Sequence, residues 1–462
     1  MLDDRGKLQP RLALSWQVVN PTEIRFKLRS NAKFHDGTPF NAAAVKFMID
    51  RAFNEKPGAR WASLAGPFAG ADVVDDLTVD IMTKEPYGPA LPSIAMAYMG
   101  IVSPAAVEKS GTDNYGRNPV GTGPFKFVEW KTNTSISIER NPDYWDDKPC
   151  VDRIIFKVVP EEGARMIALH TGETDMVLIP SPAELPTLKR EGKFNVYEVV
   201  GGRVIFIGFN LVKPIVDDPL VRQAMFHAVN VSAIVDNIYE GAAVRAKSYL
   251  APSVFGYKDM GFEKLYPYDK AKAKALFAKA GWTPGPDGIL QKGGQKMTLS
   301  WLASRGRYLK DAEMAEAAQA QLKEVGVDAR LQFLEWGAVF SQMPSANLDH
   351  AMYTFGWITT NNDADYTMHS SFLCKSDPPG GWDRARHCNK QVDALIEKVR
   401  SSVDQKAREK MYGEIQDIMA KDPVWIPIAN TKEVVVTQRF VRGFSVHPVE
   451  YNLDLSKVWI DK

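Results

Sequence analysis

Hydrophobic and polar residues follow two different periods in the first part of the chain. Residues 24–29 alternate apolar and charged side chains, which is typical of a half-buried strand. From Asn41 to Phe53 the spacing lengthens to that of a helix with one apolar face, which consists of Val45, Met48, Ile49 and Ala52. Residues 77–81 and 135–139 return to the strand period. The pattern therefore predicts strands on either side of this helix.

The segment that begins at Val151 carries a different pattern. Residues 153–159 form an almost continuous apolar run, which is typical of a strand buried on both faces. A helical pattern at 161–170 and a second apolar run at 176–179 follow. We therefore expect a strand–helix–strand crossover in which the two strands are parallel.

Helices and strands continue to alternate through the second half of the chain. Asp269 precedes a helical pattern that Gly281 ends, and these residue types cap the two ends of helices. The other elements expected here are helices after Pro219, from Asp311, and at 389–400 and 404–420, and strands at 204–209, 296–303, 327–333, 351–357, 425–429 and 433–437. Such alternation predicts an α/β protein.

The composition narrows the class of protein. The chain has 462 residues, more than the roughly 100–200 that one domain usually holds. Lys and Arg number 57 and Asp and Glu 56, so the net charge is +1 and we expect no general attraction to nucleic acid or to an anionic membrane. No apolar run approaches the roughly 20 residues that cross a bilayer. The segment that starts at Met1 also lacks the apolar core of a signal peptide.

Two of the three cysteines are candidates for a disulfide. Cys374 and Cys388 stand 14 positions apart in a polar segment. A bond between them would close a loop and stabilise the fold by about 3 kcal/mol. Two free thiols are the alternative, and export of the chain would favour the disulfide. Cys150 would then be left over.

The sequence lacks the signatures of common enzymes. It contains no phosphate-binding or dinucleotide-binding glycine-rich loop, no nucleophile elbow, and no metal-ligand spacing among its seven histidines. Asp363 and Asp365 could take part in acid–base chemistry, although carboxylates in a loop more often bond to the backbone. We expect no cofactor and no metal. A hydrolase that uses Asp363 stays open as an alternative.

A set of short, distinct segments is spread along nearly the whole chain. These segments are 8–13, 15–16, 26–29, 32–40, 121–125, 141–145, 218–224, 269–282, 335–337 and 356–357. Each segment alone is weak evidence of a family. In their combined order and spacing, however, the chain resembles the family 5 extracytoplasmic solute-binding proteins of ABC transporters. This family includes dipeptide-, oligopeptide-, nickel- and opine-binding members.

The resemblance implies a fold and a domain plan. The fold is α/β, a two-lobed type II periplasmic-binding architecture with an additional small α+β domain and a hinge between the lobes. Residues 1–13, 151–247 and 434–462 are expected to form a discontinuous hinge-side lobe, 14–150 the small domain, and 248–433 the second ligand-binding lobe. Family members begin with a signal peptide and a further strand, so we expect that the start of this chain is truncated.

The resemblance also implies a function. We expect a non-enzymatic, periplasmic or otherwise extracytoplasmic receptor, acting as a monomer. It would capture a small peptide-like or other carboxylate-bearing solute and hand it to the permease subunits of an ABC importer. A chaperone or surface-interaction role on the same fold stays open.

The expected polar contacts come from two loops. In the dipeptide-binding members an Arg before the long helix of the second lobe binds the ligand carboxylate; Arg305 matches it, with Arg307 as the fallback, and a planar guanidinium suits a carboxylate. The same members use an Asp for the peptide ammonium, where this chain has Thr360. A hydroxyl cannot neutralise a buried ammonium. An ordinary free-amine peptide is therefore disfavoured, and Asn361 and Asp363 are expected to supply other polar contacts.

Aromatic residues are expected to line the pocket. Trp336 and Trp357 match tryptophans in the family's cavity, and Tyr98 lies where the small domain contributes to the cleft. Aromatic walls exclude water and accept varied side chains. Nickel-type members have an Arg near the position of Tyr98, and its absence here counts against a nickel chelate.

Overall fold

The structure is a computed structural model that describes residues 1–3, 6–54, 62–342, 349–376, 381–450 and 452–461. Its strands are β1 (Ala13–Asn20), β2 (Glu23–Leu28), β3 (Phe68–Asp75), β4 (Thr78–Thr83), β5 (Phe125–Lys131), β6 (Ser135–Arg140), β7 (Arg153–Lys157), β8 (Met176–Val177), β9 (Phe194–Phe209), β10 (Ala243–Arg245), β11 (Thr283–Pro284), β12 (Leu290–Lys292), β13 (Gln295–Lys296), β14 (Thr298–Ser304), β15 (Asp328–Leu334), β16 (Met352–Ile358), β17 (Trp425–Gln438), β18 (Val441–Arg442) and β19 (Trp459–Ile460).

The α-helices are α1 (Ala42–Phe53), α2 (Ala62–Ala65), α3 (Ala90–Ile94), α4 (Pro104–Ser110), α5 (Thr112–Tyr115), α6 (Glu162–His170), α7 (Leu185–Glu191), α8 (Pro219–Ala228), α9 (Val231–Ile238), α10 (Phe262–Leu265), α11 (Lys270–Lys279), α12 (Asp311–Lys323), α13 (Trp336–Gln342), α14 (Asp365–Phe372), α15 (Lys390–Ser401) and α16 (Gln405–Lys421). Short 3₁₀ turns lie at Ala97–Met99, Pro182–Glu184 and Cys374–Ser376. Among the helices of the described residues, none is both long enough and apolar enough to cross a bilayer.

The chain divides into two compact units. Unit 1 comprises Met1–Val199, Glu433–His447 and Tyr451–Lys462, and unit 2 comprises Val200–Lys432 and Pro448–Glu450. The three-part plan that the resemblance implies stays a prediction.

Among the described residues, unit 1 contains three antiparallel sheets, ordered β1-β2-β4-β3, β5-β6-β7 and β18-β19. The predicted helix is confirmed as α1, which begins where the side chain of Asn41 accepts a hydrogen bond from the Ala44 amide at 3.1 Å. Its apolar face is buried as the spacing predicts, with Ile49 only 1% exposed. A polar cap and a helical apolar stripe are therefore sufficient to define this element.

The parallel crossover predicted after Val151 is wrong. Strand β7 pairs antiparallel with β6 at the edge of its sheet, and β8 pairs antiparallel with β17. Only one face of β7 is covered, because Ile154 and Phe156 pack against a core cluster while Ile155 is 52% exposed. A short apolar run predicts a strand, but it does not indicate which strand pairs with it or in which direction.

Unit 2 is built on a sheet in which the strands are ordered β10-β17-β9-β16-β14-β15. Strand β14 runs parallel to both β15 and β16, and α12 connects β14 to β15 as the sequence predicts. The two short strands expected at 425–429 and 433–437 are one continuous strand, β17, which is a correction. The polar residues 430–432 between them belong to the same strand, in which Asn430 is buried and its side-chain nitrogen donates to the Arg203 carbonyl at 3.1 Å.

The parallel strands determine where the candidate site residues lie. The carboxyl ends of β14, β15 and β16 meet at one edge of the sheet, so the segments that follow them are neighbours. Residues 305–310 follow β14, Trp336 comes just after β15, and 359–363 follow β16. Ligands of open α/β sheets commonly bind at such an edge.

Candidate functional site

A group of aromatic side chains occupies this edge of unit 2, and we call it the aromatic cluster. Its members are Tyr308, Trp336, Phe340, Phe355, Trp357, Tyr366 and Trp382. Neighbouring rings have centroids 5.4–6.4 Å apart in tilted or edge-on arrangements, which are the favoured geometries of aromatic pairs. The structure thus brings the predicted Trp336 and Trp357 into one group, joined through Phe355.

The aromatic cluster has a buried side and an accessible side. Phe355 and Trp357 are 5% and 7% exposed, and the Trp357 indole donates to the Thr367 hydroxyl at 3.0 Å. Trp336 and Trp382 are only half-buried. Accessible tryptophan rings supported by buried ones are the kind of surface on which an apolar part of a ligand packs.

A glycine permits the close packing under the cluster. A Cβ on Gly356 would lie 2.7 Å from Cε1 of Tyr308 and 2.8 Å from Cδ1 of Ile205. The Tyr308 hydroxyl donates to the Gly356 carbonyl at 3.2 Å, and Arg203 donates to the same oxygen at 2.8 Å. The glycine of the Gly356-Trp357 motif is therefore required by the approach of Tyr308.

Guanidinium groups lie over the rings of the cluster. Arg307 is 5.0 Å from the centroids of both Tyr308 and Trp336. Arg203 lies 5.3 Å from the Tyr308 ring and forms an ion pair with Glu450. Cation–π contacts of this kind hold a guanidinium against an aromatic face, so Arg307 is kept at this edge.

The carboxylate of Asp311 fixes the loop that carries Arg307. It accepts hydrogen bonds from the amides of Gly306, Arg307 and Tyr308 at 2.9–3.1 Å and from the Ser304 hydroxyl at 2.9 Å. The sequence predicts Asp311 only as the start of a helix. A buried carboxylate with this many donors is a positioning group for residues 305–310.

Arg305, the residue predicted to bind the carboxylate, lies on the surface of unit 2. Its side chain is 60% exposed, pairs with Glu316 at 3.0 Å, and stacks 4.3 Å from the Phe333 ring. An exposed ion pair of this kind contributes little and exchanges readily. Its ligand-binding role stays a prediction.

The segment that follows β16 is buried. Thr360, Asn361 and Asp363 are 8%, 0% and 2% exposed. Asp363 accepts two hydrogen bonds from Nη2 of Arg408, at 2.6 and 2.7 Å, and one from the Tyr412 hydroxyl at 2.9 Å. Burial raises the pKa of Asp363, and the Arg408 guanidinium opposes that rise.

These contacts bear on the catalytic alternative. A general acid or base must reach the proton that it transfers. Both oxygens of Asp363 already accept hydrogen bonds from Arg408. The arrangement favours a structural role for Asp363, and its predicted ligand contact stays a prediction.

Tyr98 lies in unit 1. It sits in the 3₁₀ turn Ala97–Met99 and is 37% exposed. The neighbouring Ala97 and Met99 line an apolar cavity of about 510 Å³ whose wall includes Trp16 and Trp145. Among the described residues that line this cavity, none is a predicted site residue.

The disulfide between Cys374 and Cys388 is present, and Cys150 is free and exposed. The bond closes the loop that carries Trp382. Together with Asp393, the two sulfurs form the one grouping of potential metal ligands found among the described residues. The sulfurs are bonded to each other, so this grouping is not a metal site.

Comparisons with known proteins identify a family and relatives that this chain resembles. Residues 7–378 match the family described as bacterial extracellular solute-binding proteins, family 5 Middle. A dipeptide-binding protein of Escherichia coli (strain K12) is 30% identical over 462 aligned residues, covering 95% of this chain and 84% of the relative. The glutathione-binding protein GsiB of Salmonella typhimurium is also 30% identical, covering 97% of this chain and 85% of the relative.

A solved structure extends the agreement to the fold. The ABC transporter-associated periplasmic binding protein DppA from Helicobacter pylori, in complex with the peptide STSA, superposes with a TM-score of 0.84 at 26% identity, covering 99% of this chain and 90% of that one. These similarities confirm the α/β, type II periplasmic-binding fold class that the resemblance implied.

Proposed function

Because the chain belongs to the bacterial extracellular solute-binding proteins of family 5, we propose that it captures a small carboxylate-bearing organic solute and delivers it to an ABC importer. In this proposal the protein works outside the cytoplasm, as a monomer, with permease subunits as its partners. The named relatives that bind dipeptide or glutathione support a peptide-like solute.

The observation that carries the proposal is the aromatic cluster with its cationic cover. Half-buried Trp336 and Trp382 offer an apolar surface, and Arg307 lies above the Trp336 ring at 5.0 Å. Such a surface suits a solute with an apolar body and a negatively charged group, because each part meets its complement.

The segment after β16 disfavours solutes that carry a free amine. Thr360 stands where the dipeptide-binding members have an Asp, and Asp363 is engaged by Arg408. A buried ammonium without a carboxylate partner costs several kcal/mol. We therefore propose a peptide-like, opine-like or otherwise modified amino acid whose amine is blocked or held elsewhere.

The protein acts as a receptor and releases its solute unchanged. The family is one of solute-binding proteins, and the engagement of Asp363 supports the same view. A bound solute should therefore be recovered without chemical conversion.

A thermal-shift screen tests the proposal. The panel holds free and amine-blocked peptides, glutathione, opines, neutral sugars and metal chelates. A solute at 100 times its Kd stabilises the folded state by about 2.7 kcal/mol, so carboxylate-bearing members should raise the Tm. Stabilisation by neutral sugars alone would contradict the proposal.

A pair of variants tests the proposed part of Arg305. Arg305→Ala should weaken the best carboxylate-bearing solute by roughly tenfold or more, because a hydrogen bond to a charged group contributes about 1.5–3 kcal/mol. Arg330→Ala is the matched control, since Arg330 is also exposed and paired, with Asp328 at 3.0 Å. Unchanged affinity in Arg305→Ala would contradict this role and leave the carboxylate to another arginine at this edge of unit 2.

A further inference from the structure

Arg384 is a buried cation that forms no ion pair with any of the described residues. It is 4% exposed, and its Nη1 donates to the Trp382 carbonyl at 2.6 Å. Its Nε and Nη2 are buried, and neither has a hydrogen-bond partner among the described residues. Burial lowers the pKa of Arg384 to about 10.

The other buried arginines of the described chain are all paired. Arg203 pairs with Glu450, Arg222 with Asp422, Arg400 with Asp365 and Arg408 with Asp363. The cost of burying a guanidinium is therefore offset by a carboxylate at every such position except Arg384. The two carboxylate oxygens of the neighbouring Asp383 accept hydrogen bonds from the backbone amides of Arg386 and His387, at 2.9 and 3.1 Å.

Arg384 also lies in the aromatic cluster. Its guanidinium carbon is 4.6 Å from the Trp382 ring centroid and 5.4 Å from that of Phe355. Both Arg384 and Trp382 belong to the loop that the Cys374–Cys388 disulfide closes. Arg384 therefore places a buried charge, with two nitrogens that can still donate hydrogen bonds, at the same edge as Arg307.

We propose that Arg384 is the anchor for a carboxylate of the bound solute. The two unsatisfied nitrogens, Nε and Nη2, form one side of the guanidinium fork, and this side matches the two oxygens of a carboxylate in a bidentate pair. The half-buried ring of Trp382 then covers the solute. This inference rests on the proposed function and adds to it the residue and the charge that the site selects.

The site would select for charge as well as shape. A neutral amide presents one acceptor oxygen to the fork and leaves Arg384 without a counter-ion, whereas a carboxylate satisfies both nitrogens and the charge. Solutes that differ only by a carboxylate or a carboxamide should therefore be separated by about 10- to 100-fold in affinity.

The test uses N-acetyl-phenylalanine and N-acetyl-phenylalanine amide as matched probes, titrated into the full chain and followed by tryptophan fluorescence. Wild type should prefer the acid by about 10- to 100-fold, Arg384→Met should lose that preference, and Arg384→Lys should keep part of it. Equal binding of the two probes to wild type, or a preserved preference in Arg384→Met, would overturn the inference.

Thermal melting without probe separates an anchor from a structural arginine. Removing an unsatisfied buried cation should leave the Tm of Arg384→Met unchanged or higher. Arg222→Met, the control, should melt lower because it leaves Asp422 without its buried partner. An equally lowered Tm in Arg384→Met would overturn the inference by assigning the residue to the fold.

The two possible failures are distinguishable. If neither probe nor any solute of the thermal-shift panel binds wild type, the proposed function fails and the inference fails with it. If solutes bind wild type and Arg384→Met with equal affinity, only the assignment to Arg384 fails.

Discussion

Asp363 and Arg408 satisfy each other inside unit 2. Both carboxylate oxygens accept from Nη2 of Arg408, at 2.6 and 2.7 Å, and the two side chains are 3% and 6% exposed. Tyr412 completes the group by donating to the same carboxylate at 2.9 Å. This buried network joins the segment after β16 to helix α16, and so fixes the position of the segment that follows Trp357 of the aromatic cluster.

Breaking this pair should destabilise the fold strongly. Asp363→Asn leaves the Arg408 charge buried without a partner, which should lower the free energy of unfolding by about 3–5 kcal/mol. Urea denaturation measures the loss. The double variant Asp363→Leu with Arg408→Met should cost less than Asp363→Asn alone, because it leaves no uncompensated charge.

An exposed pair provides the control. Lys258 and Asp417 are 2.6 Å apart with both side chains about half exposed, so Asp417→Asn should change stability by at most about 1 kcal/mol. Equal losses in Asp417→Asn and Asp363→Asn would contradict the structural role given to Asp363.

Gly356→Ala should displace the Tyr308 ring of the aromatic cluster. The new Cβ would meet Tyr308 at 2.7 Å, and overpacking of this kind costs about 1–3 kcal/mol. The Tyr308 ring must shift, so affinity for the stabilising solutes should fall together with the free energy of unfolding. Gly413→Ala in helix α16 is the control: its Cβ would meet Lys258 at an ordinary 3.6 Å, and it should stabilise by about 0.5–1 kcal/mol.

Removal of the disulfide should affect both stability and binding. The Cys374→Ser, Cys388→Ser variant should lose about 3 kcal/mol of unfolding free energy, because the unfolded chain regains the freedom of this loop. Its solute affinity should also fall, since the loop carries Trp382 and Arg384. Cys150→Ser at the exposed free cysteine should leave both quantities unchanged.

The stability should fall as the pH drops below neutrality, in part through His369. Burial, with Arg400 and Lys375 nearby, lowers the pKa of His369 from 6.5 to about 3. The folded protein therefore keeps this ring neutral while the unfolded chain takes up a proton below pH 6.5. Above pH 6.5 the protonation of His369 costs the folded state nothing. Below it, the free energy of unfolding declines by about 1.4 kcal/mol per pH unit as the pH falls towards 3.

Urea denaturation at two pH values checks this expectation. Between pH 7 and pH 5, His369 should account for about 2 kcal/mol of lost stability. His369→Gln should reduce the loss by that amount, because glutamine does not titrate. An identical pH dependence in wild type and His369→Gln would contradict the assignment.

The elements with local signals were predictable from the sequence. Asn41 and Asp269 carry side-chain caps, and α1 and α11 begin directly after them. The strand β7 was also predicted, but its pairing was not, because its five residues contain nothing that reveals β6 as an antiparallel partner. Local propensity defines an element, whereas pairing depends on residues far away in the chain.

The candidate site shows the same division. Trp336 and Trp357 were found through their motifs, and the structure groups them. Arg384 was missed because an Arg next to an Asp in a polar loop is typical of solvent-exposed sequence. Its burial depends on contact with Phe355 of strand β16, which is distant in the sequence, so a pattern local to residue 384 does not indicate it.

Native mass spectrometry tests the central claim most directly. The protein is mixed with the carboxylate-bearing solute that raises its Tm most, and the complex is weighed and then denatured to release its contents. We expect one solute per chain, recovered with its original mass. A protein that binds no such solute, or that releases a product of different mass, would contradict the proposed receptor function.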